Sequence, residues 1–77
     1  MYSMLYFYFE AMKNRIEELR KAENMTQQAL ASQLKVTRQT IISLENGKYN
    51  PSITLAHDIA VFFGKSIEEV FIFGEEE

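Results

Sequence analysis

The sequence predicts a small all-α domain made of five short helices. Apolar residues recur three or four positions apart through most of the chain, which is the period of a helix with one buried side. Threonine, serine or glycine stands at the boundaries of these runs, where helices begin and end. A length of 77 residues suits one domain with one small core.

The five predicted helices cover residues 14–22, 26–34, 37–46, 52–63 and 66–70. Their buried sides share the helical spacing of apolar side chains. The residues on these sides are Ile16, Leu19, Leu30, Leu34, Ile41, Leu44, Leu55, Ile59 and either Phe62 or Phe63.

Polar residues and glycines mark the helix boundaries. Thr26, Thr37 and Ser52 each precede a helix, and their hydroxyl groups can accept a hydrogen bond from a first-turn amide. Gly47 and Gly64 end the third and fourth helices, because glycine adopts the left-handed conformation at little steric cost. Only two residues separate the second helix from the third, so we expect the third to leave at a steep angle.

The two termini suggest a small antiparallel sheet. Residues 5–10 alternate apolar and more polar side chains with the period of a strand, and residues 71–73 are aromatic and β-branched. We therefore divide the chain into an aromatic extension at residues 1–11, a domain at residues 12–73 and an acidic tail at residues 74–77. The alternative is that the extension comes from an upstream start and takes no part in the fold.

Charge is distributed unevenly along the chain. The net charge is -3, yet residues 12–50 hold seven basic and four acidic residues, a balance of +3. Residues 51–77 hold one basic and six acidic residues, a balance of -5. This asymmetry predicts that one face of the domain meets an anion while the other faces water or a partner. The alternative is a solvated acidic tail, which is the favoured interpretation for residues 75–77.

The composition argues against several classes of protein. Without cysteine there is no disulfide framework and no thiolate metal site, which fits a cytoplasmic protein. No apolar segment has the length of a membrane span, and the opening residues lack the features of a signal peptide. His57 is the one histidine and has no catalytic grouping around it in the sequence, so we expect no enzyme, no cofactor, no metal and no small-molecule ligand.

Three motifs in a fixed order, TQQALA, VTRQTIISLENGK and NPS, resemble the phage-repressor and Cro-like (XRE-type) helix-turn-helix family of transcriptional regulators. The resemblance covers residues 12–71 and points to the small single-domain members. It implies a five-helix lambda-repressor-like fold with residues 37–46 in the major groove of double-stranded DNA. It also implies a regulator, expected to be a repressor, that binds a palindromic operator as a homodimer.

The polar side of the third helix is the predicted surface for DNA bases. Arginine suits guanine, glutamine suits adenine, and an exposed isoleucine can contact the thymine methyl group. By resemblance, Arg38, Gln39 and Ser43 occupy the positions that face base edges. Ile42 and Thr40 complete the predicted set because they lie on or beside the same exposed side. The alternative is an ordinary solvated helix face.

The resemblance assigns contacts with the DNA backbone to residues that flank the exposed helix. These residues are Gln27, Thr37, Asn46, Lys48 and Tyr49. Gln27 is expected both to bind a phosphate and to brace the third helix. Arg20 and Glu45 match positions that form a structural ion pair between the first and third helices.

Ten aromatic residues in so short a chain predict a surface for a second copy. The candidates lie at the end of the fourth helix, on the fifth helix and on the following strand: Phe63, Ile67, Val70, Phe71 and Phe73. Core packing is the competing explanation for Phe62 and Phe71. A second function also stays open, namely a protein-interaction module of antitoxin type that captures a partner protein through its termini.

Lys35 departs from the resemblance. The family turn usually has glycine at this position, because the backbone there is often left-handed, and a lysine would then be strained. Either the turn differs in this chain or the strain is tolerated.

Overall fold

The structure, a computed structural model, describes residues 13–72. Five helices follow one another as α1 (Ile16–Ala22), α2 (Gln27–Leu34), α3 (Arg38–Glu45), α4 (Ile53–Phe63) and α5 (Ile67–Val70). Two short strands, β1 (Lys13–Asn14) and β2 (Phe71–Ile72), stand before α1 and after α5. The predicted all-α class with five helices is therefore confirmed.

Hydroxyl groups begin most of the helices, as the sequence predicted. Thr26 Oγ1 accepts from the Ala29 amide at 3.0 Å, and Ser52 Oγ accepts from the Leu55 amide at 3.1 Å. At the start of α5 the capping is reciprocal, because Ser66 and Glu69 each accept from the other's backbone amide. These bonds satisfy first-turn N–H groups that have no partner inside the helix.

A left-handed residue lies just beyond the end of each of the helices α1 to α4, and only two of these four residues are glycine. Asn24, Lys35, Gly47 and Gly64 have φ values of 57°, 61°, 71° and 67°. In each case the next amide donates to a carbonyl five residues earlier, at distances between 2.8 and 3.1 Å. This pairing closes the last turn and satisfies carbonyls that the helix leaves open.

The two strands form an antiparallel sheet in which Lys13 faces Ile72 and Asn14 faces Phe71. The predicted sheet of the termini is thus present. The expected partner strand at residues 5–10, and Phe73, lie outside the described residues. The prediction that the first helix begins at Asn14 is wrong, since Asn14 lies in β1 and its side-chain oxygen accepts from the Ile16 amide at 3.0 Å.

The core fills the space between the helices and the sheet. It contains the buried residues Ile16, Leu30, Ala31, Ile41, Leu44, Ala56, Ile59, Ala60, Val70 and Phe71. Of the two phenylalanines that end α4, Phe63 packs against this core, whereas Phe62 is 38% exposed. In the part of the chain that the structure describes, no helix is long and apolar enough to cross a membrane.

Burial corrects part of the predicted dimer surface. Val70 and Phe71 were expected to meet a second copy, yet they are 0% and 1% exposed. Their side chains pack in the core of the protomer, and the Val70 carbonyl accepts from the Arg15 amide, just before α1, at 2.8 Å. The core explanation therefore holds for Phe71, and of the predicted surface only Phe63 and Ile67 remain partly accessible among the described residues.

Candidate nucleic-acid interface

The N-terminal half of α3 presents its polar side chains to solvent. Arg38 and Gln39 are exposed, and Gln39 Nε2 donates to Ser43 Oγ at 3.2 Å. Within residues 13–72, no hydrogen bond or ion pair engages the Arg38 guanidinium. Its five N–H donors are thus available to an external acceptor.

The other side chains predicted for base contact are half-buried. Thr40, Ile42 and Ser43 lie between the exposed face of α3 and the core. The Thr40 hydroxyl is 3.0 Å from that of Thr37, which also caps the helix by accepting from the Thr40 amide at 3.2 Å. Ile42 is less exposed than a freely solvated side chain, while its neighbour Ile41 is fully buried.

A buried ion pair fixes the other end of α3. Arg20 Nε is 2.6 Å from Glu45 Oε2, and the side chains are 8% and 4% exposed. A second guanidinium nitrogen donates to Glu45 Oε1 at 3.1 Å, and a third to the Met25 carbonyl at 2.8 Å. Hydrogen bonding from the guanidinium to Glu45 raises the pKa of Arg20 above its ordinary value. The pair links α1 to α3, where the resemblance placed it.

Gln27 joins the same cluster from the start of α2. Its Nε2 donates to Glu45 Oε1 at 3.1 Å, so the side chain contacts α3 directly. An amide nitrogen carries two hydrogens, and this bond uses one of them. The remaining N–H is able to bind a phosphate oxygen while the first holds Glu45.

The chain beyond α3 turns sharply and leaves three polar side chains in reach of solvent. Asn46 caps the helix, Gly47 takes the left-handed conformation, and the Lys48 amide donates to the Ser43 carbonyl at 2.9 Å. Asn46 and Lys48 are exposed, and Tyr49 is 43% exposed. These residues, which the resemblance assigns to the DNA backbone, therefore lie together at one end of α3.

Lys35 adopts the conformation that the family's glycine would take. Its φ of 61° and ψ of 41° are left-handed. The turn in this chain therefore does not differ, and the lysine accepts the backbone strain.

Asn14 is a contact that sequence reasoning missed. Its Nδ2 donates to the Leu44 carbonyl, at the end of α3, over a distance of 2.8 Å. The two residues are 30 positions apart, and Asn14 precedes the first apolar period. No helical or strand pattern in the sequence indicates such a pairing.

No alternative chemical site is evident in the part of the chain that the structure describes. His57 and Asp58 are mostly exposed, with 3.8 Å between the imidazole and the carboxylate. No group of three or more His, Cys, Asp or Glu residues among residues 13–72 could hold a metal ion. The exposed face of α3 is therefore the surface with the clearest binding chemistry.

Comparison with known proteins agrees with this geometry. A family model described as helix-turn-helix matches residues 16–70, which span α1 to α5. An uncharacterized HTH-type transcriptional regulator of Methanocaldococcus jannaschii is 52% identical over 66 residues, covering 86% of this chain and 100% of that protein. Another, of Archaeoglobus fulgidus, is 54% identical over 66 residues, covering 86% of this chain and 93% of that protein. The HTH-type transcriptional activator BcrR of Enterococcus faecalis is 39% identical over 62 residues, covering 80% of this chain and 30% of that protein.

Proposed function

This chain belongs to the helix-turn-helix family, and we propose that it is a transcriptional regulator that binds double-stranded DNA with α3 in the major groove. The observation that carries the proposal is the Arg38 guanidinium, exposed and unengaged within residues 13–72 on the first turn of α3. The major groove is wide enough for an α-helix, and guanine offers two acceptors that fit an arginine fork.

Base preference is proposed to come from the exposed side of α3. Arg38 would bind guanine, and Gln39 would bind adenine after releasing its bond to Ser43. Ile42 would contact a thymine methyl group at the edge of the surface, as its partial burial allows. Ser43 and Thr40 would supply hydroxyl contacts.

Contacts with phosphates are proposed to fix the register of α3 on the duplex. Gln27 and Thr37 would act near the start of the helix pair, and Asn46, Lys48 and Tyr49 would act beyond its end. The excess of basic residues in residues 12–50 supports this orientation, because binding to DNA depends on neutralising phosphates. The acidic second half of the chain would face away from the duplex.

We infer that the protein acts as a homodimer on a palindromic operator. Half-sites would then lie about 34 Å apart, one turn of the duplex. Phe63 and Ile67 remain the proposed contact residues, and α4 adds exposed apolar area at Val61 and Phe62. Exposed apolar groups of this kind favour association.

Repression is the proposed sense of regulation. A domain with one DNA surface can block a promoter by occupying it, whereas activation also requires a contact with the transcription machinery. The relative named as an activator is much longer than the matched segment. A reporter gene carrying the selected operator tests this point, and higher expression with the protein present would contradict repression.

The deciding experiment is selection of binding sites from random duplexes with the purified protein. We expect enrichment of an inverted repeat with half-sites one helical turn apart, and a sedimentation coefficient of a dimer on that duplex. No enrichment, with binding equal on all sequences, would overturn the proposal of a sequence-specific regulator. Recovery from cells of a stable complex with another small protein, and of no DNA, would favour the interaction module instead.

A further inference from the structure

Asn14 contacts three elements of the fold at once. In β1 its backbone stands opposite Phe71 of β2. Its side-chain oxygen accepts from the Ile16 amide of α1 at 3.0 Å, and its side-chain nitrogen donates to the Leu44 carbonyl of α3 at 2.8 Å. Asn14 is the described residue that ties the terminal sheet to α3 through a side-chain hydrogen bond.

The chemistry of the two partners fixes the orientation of this amide. The Ile16 amide can only donate, and the Leu44 carbonyl can only accept, so the oxygen and nitrogen of Asn14 cannot exchange places. Aspartate lacks the donor and serine is too short to span both partners. The position therefore requires the length and both functions of the asparagine amide.

The Leu44 carbonyl belongs to the closing turn of α3. It also accepts from the Gly47 amide at 3.0 Å, so its two lone pairs are both used. The same turn holds the Lys48 amide against the Ser43 carbonyl at 2.9 Å. A shift of the Leu44 carbonyl would therefore also shift the turn that carries Lys48.

We propose that Asn14 is a positioning residue, which holds the closing turn of α3 so that Lys48 meets the DNA backbone in the correct register. The inference rests on the proposed function of this surface. Asn14 is half-buried and its side-chain amide is used on Ile16 and Leu44, so we expect it to make no contact with a base. Its loss should weaken binding to every sequence alike and leave base preference intact, because phosphate contacts set position and base contacts set specificity.

A double-variant cycle of Asn14→Ala and Lys48→Ala tests this coupling on the selected operator. Asn14→Ala removes both side-chain hydrogen bonds, the one from the Ile16 amide and the one to the Leu44 carbonyl. Loss of the neutral hydrogen bond to Leu44 should weaken binding about fivefold, and removing Lys48 should reduce the salt slope by about 1. If Asn14 acts through Lys48, the affinity of the double variant for the operator is about equal to that of whichever single variant binds more weakly. Losses that multiply would overturn the positioning role.

Two further variants separate positioning from stability. Asn14→Ser keeps an oxygen that can accept from the Ile16 amide but cannot reach Leu44, so we expect a melting temperature above that of Asn14→Ala together with the binding defect of Asn14→Ala. Parent-like binding by Asn14→Ser would overturn the proposal. Ala22→Gly weakens α1 at an exposed position and serves as the control for stability, with binding expected to match the parent at temperatures where both are folded.

The two ways of failing are distinguishable. If the parent protein shows neither salt-dependent binding nor a preference for any duplex, the proposed function is wrong and the positioning role of Asn14 is overturned with it. If the parent binds its operator and the two losses multiply, the proposed function stands and Asn14 is a structural residue only.

Discussion

The two ends of α3 differ in what their polar side chains contact. At the N-terminal end, Arg38 and Gln39 are exposed, and their described bonds go no further than Ser43. At the C-terminal end, the side chain of Glu45 is 4% exposed and accepts from both Arg20 and Gln27. At the C-terminal end the polar side chains are satisfied by the protein, and at the N-terminal end they are exposed to solvent.

The difference shows how a small domain combines stability with binding. Burying a carboxylate is unfavourable unless its partners are in place, so the Glu45 cluster holds α3 in one position relative to α1 and α2. An exposed guanidinium costs the fold little, because water solvates it in the free protein. Variants at the two ends should therefore affect different properties.

Breaking the anchored end should have the largest effect. Glu45→Gln leaves the Arg20 charge without its counter-ion at a buried site, which is expected to cost about 3–5 kcal/mol in the free energy of unfolding. Urea denaturation measures this loss. The control is Glu17→Gln, which removes an exposed ion pair with Lys21, 2.9 Å long, and should cost less than about 1 kcal/mol. Equal losses would show that burial of the Arg20–Glu45 ion pair adds nothing to the stability of the anchored end.

Changing the open end should alter binding and spare the fold. Arg38→Ala is expected to cost about 1–3 kcal/mol against the preferred base at one operator position, while the free energy of unfolding stays within about 0.5 kcal/mol. The comparison variant is Lys48→Ala, which should weaken all sequences alike and flatten the salt dependence. A loss with Arg38→Ala that is the same for every sequence would contradict its role at the bases.

The left-handed residues that end α2 and α4 give a smaller effect on the free energy of unfolding, and the sign differs between the two. Lys35→Gly removes the backbone strain of a left-handed lysine. Because this strain is larger than the entropy that glycine adds to the unfolded chain, we expect the free energy of unfolding to rise by about 0.5–1 kcal/mol. Gly64→Ala is the reverse control, because an added Cβ would meet nothing within 4 Å and only the φ of 67° opposes it. The free energy of unfolding of Gly64→Ala, measured by urea denaturation, should fall by about 1 kcal/mol. Destabilisation by Lys35→Gly would show that the lysine side chain makes a favourable contact.

The smallest effect concerns pH and lies away from both ends of α3. The Ser66 amide, 2.8 Å from Glu69 Oε1, lowers the pKa of Glu69 below its ordinary value of 4.5. Because the folded-state pKa is the lower one, the stabilisation is complete above the ordinary value and is lost as pH falls through the folded-state pKa. Glu69→Gln keeps an acceptor oxygen without titrating, so its melting temperature should fall less steeply below about pH 4.5. If the melting temperatures of the parent and of Glu69→Gln fall equally with pH, the lowered pKa of Glu69 does not contribute to stability.

Local rules account for the parts of the fold that the sequence predicted. Thr26, Thr37 and Ser52 cap helices because a hydroxyl group and a first-turn amide are three residues apart whatever surrounds them. The left-handed ends at Gly47 and Gly64 follow from the absence of a Cβ. Such features depend on neighbours in sequence, and they were predicted with nearly correct boundaries.

The aromatic residues near the C-terminus show where sequence reasoning failed. Phe71 and Phe62 have the same character in the sequence, yet one is 1% exposed and the other 38%. Phe62 lies on the exposed side of α4, whereas β2 carries Phe71 in the core. The hydrophobicity of a side chain indicates that burial is favourable, but it does not indicate whether the protomer or a partner buries it.

The sequence by itself determined the helix-turn-helix order, the helix caps and the exposure of Arg38 and Gln39 on α3, because spacing of three or four residues fixes which side chains share a face. Tertiary structure alone decided that Gln27 would contact Glu45, that Lys35 would accept a left-handed turn, and that Asn14 would reach Leu44. These contacts join residues 18 and 30 positions apart, or impose strain that the rest of the fold outweighs. Their energies depend on where whole elements pack, and no local pattern carries that information.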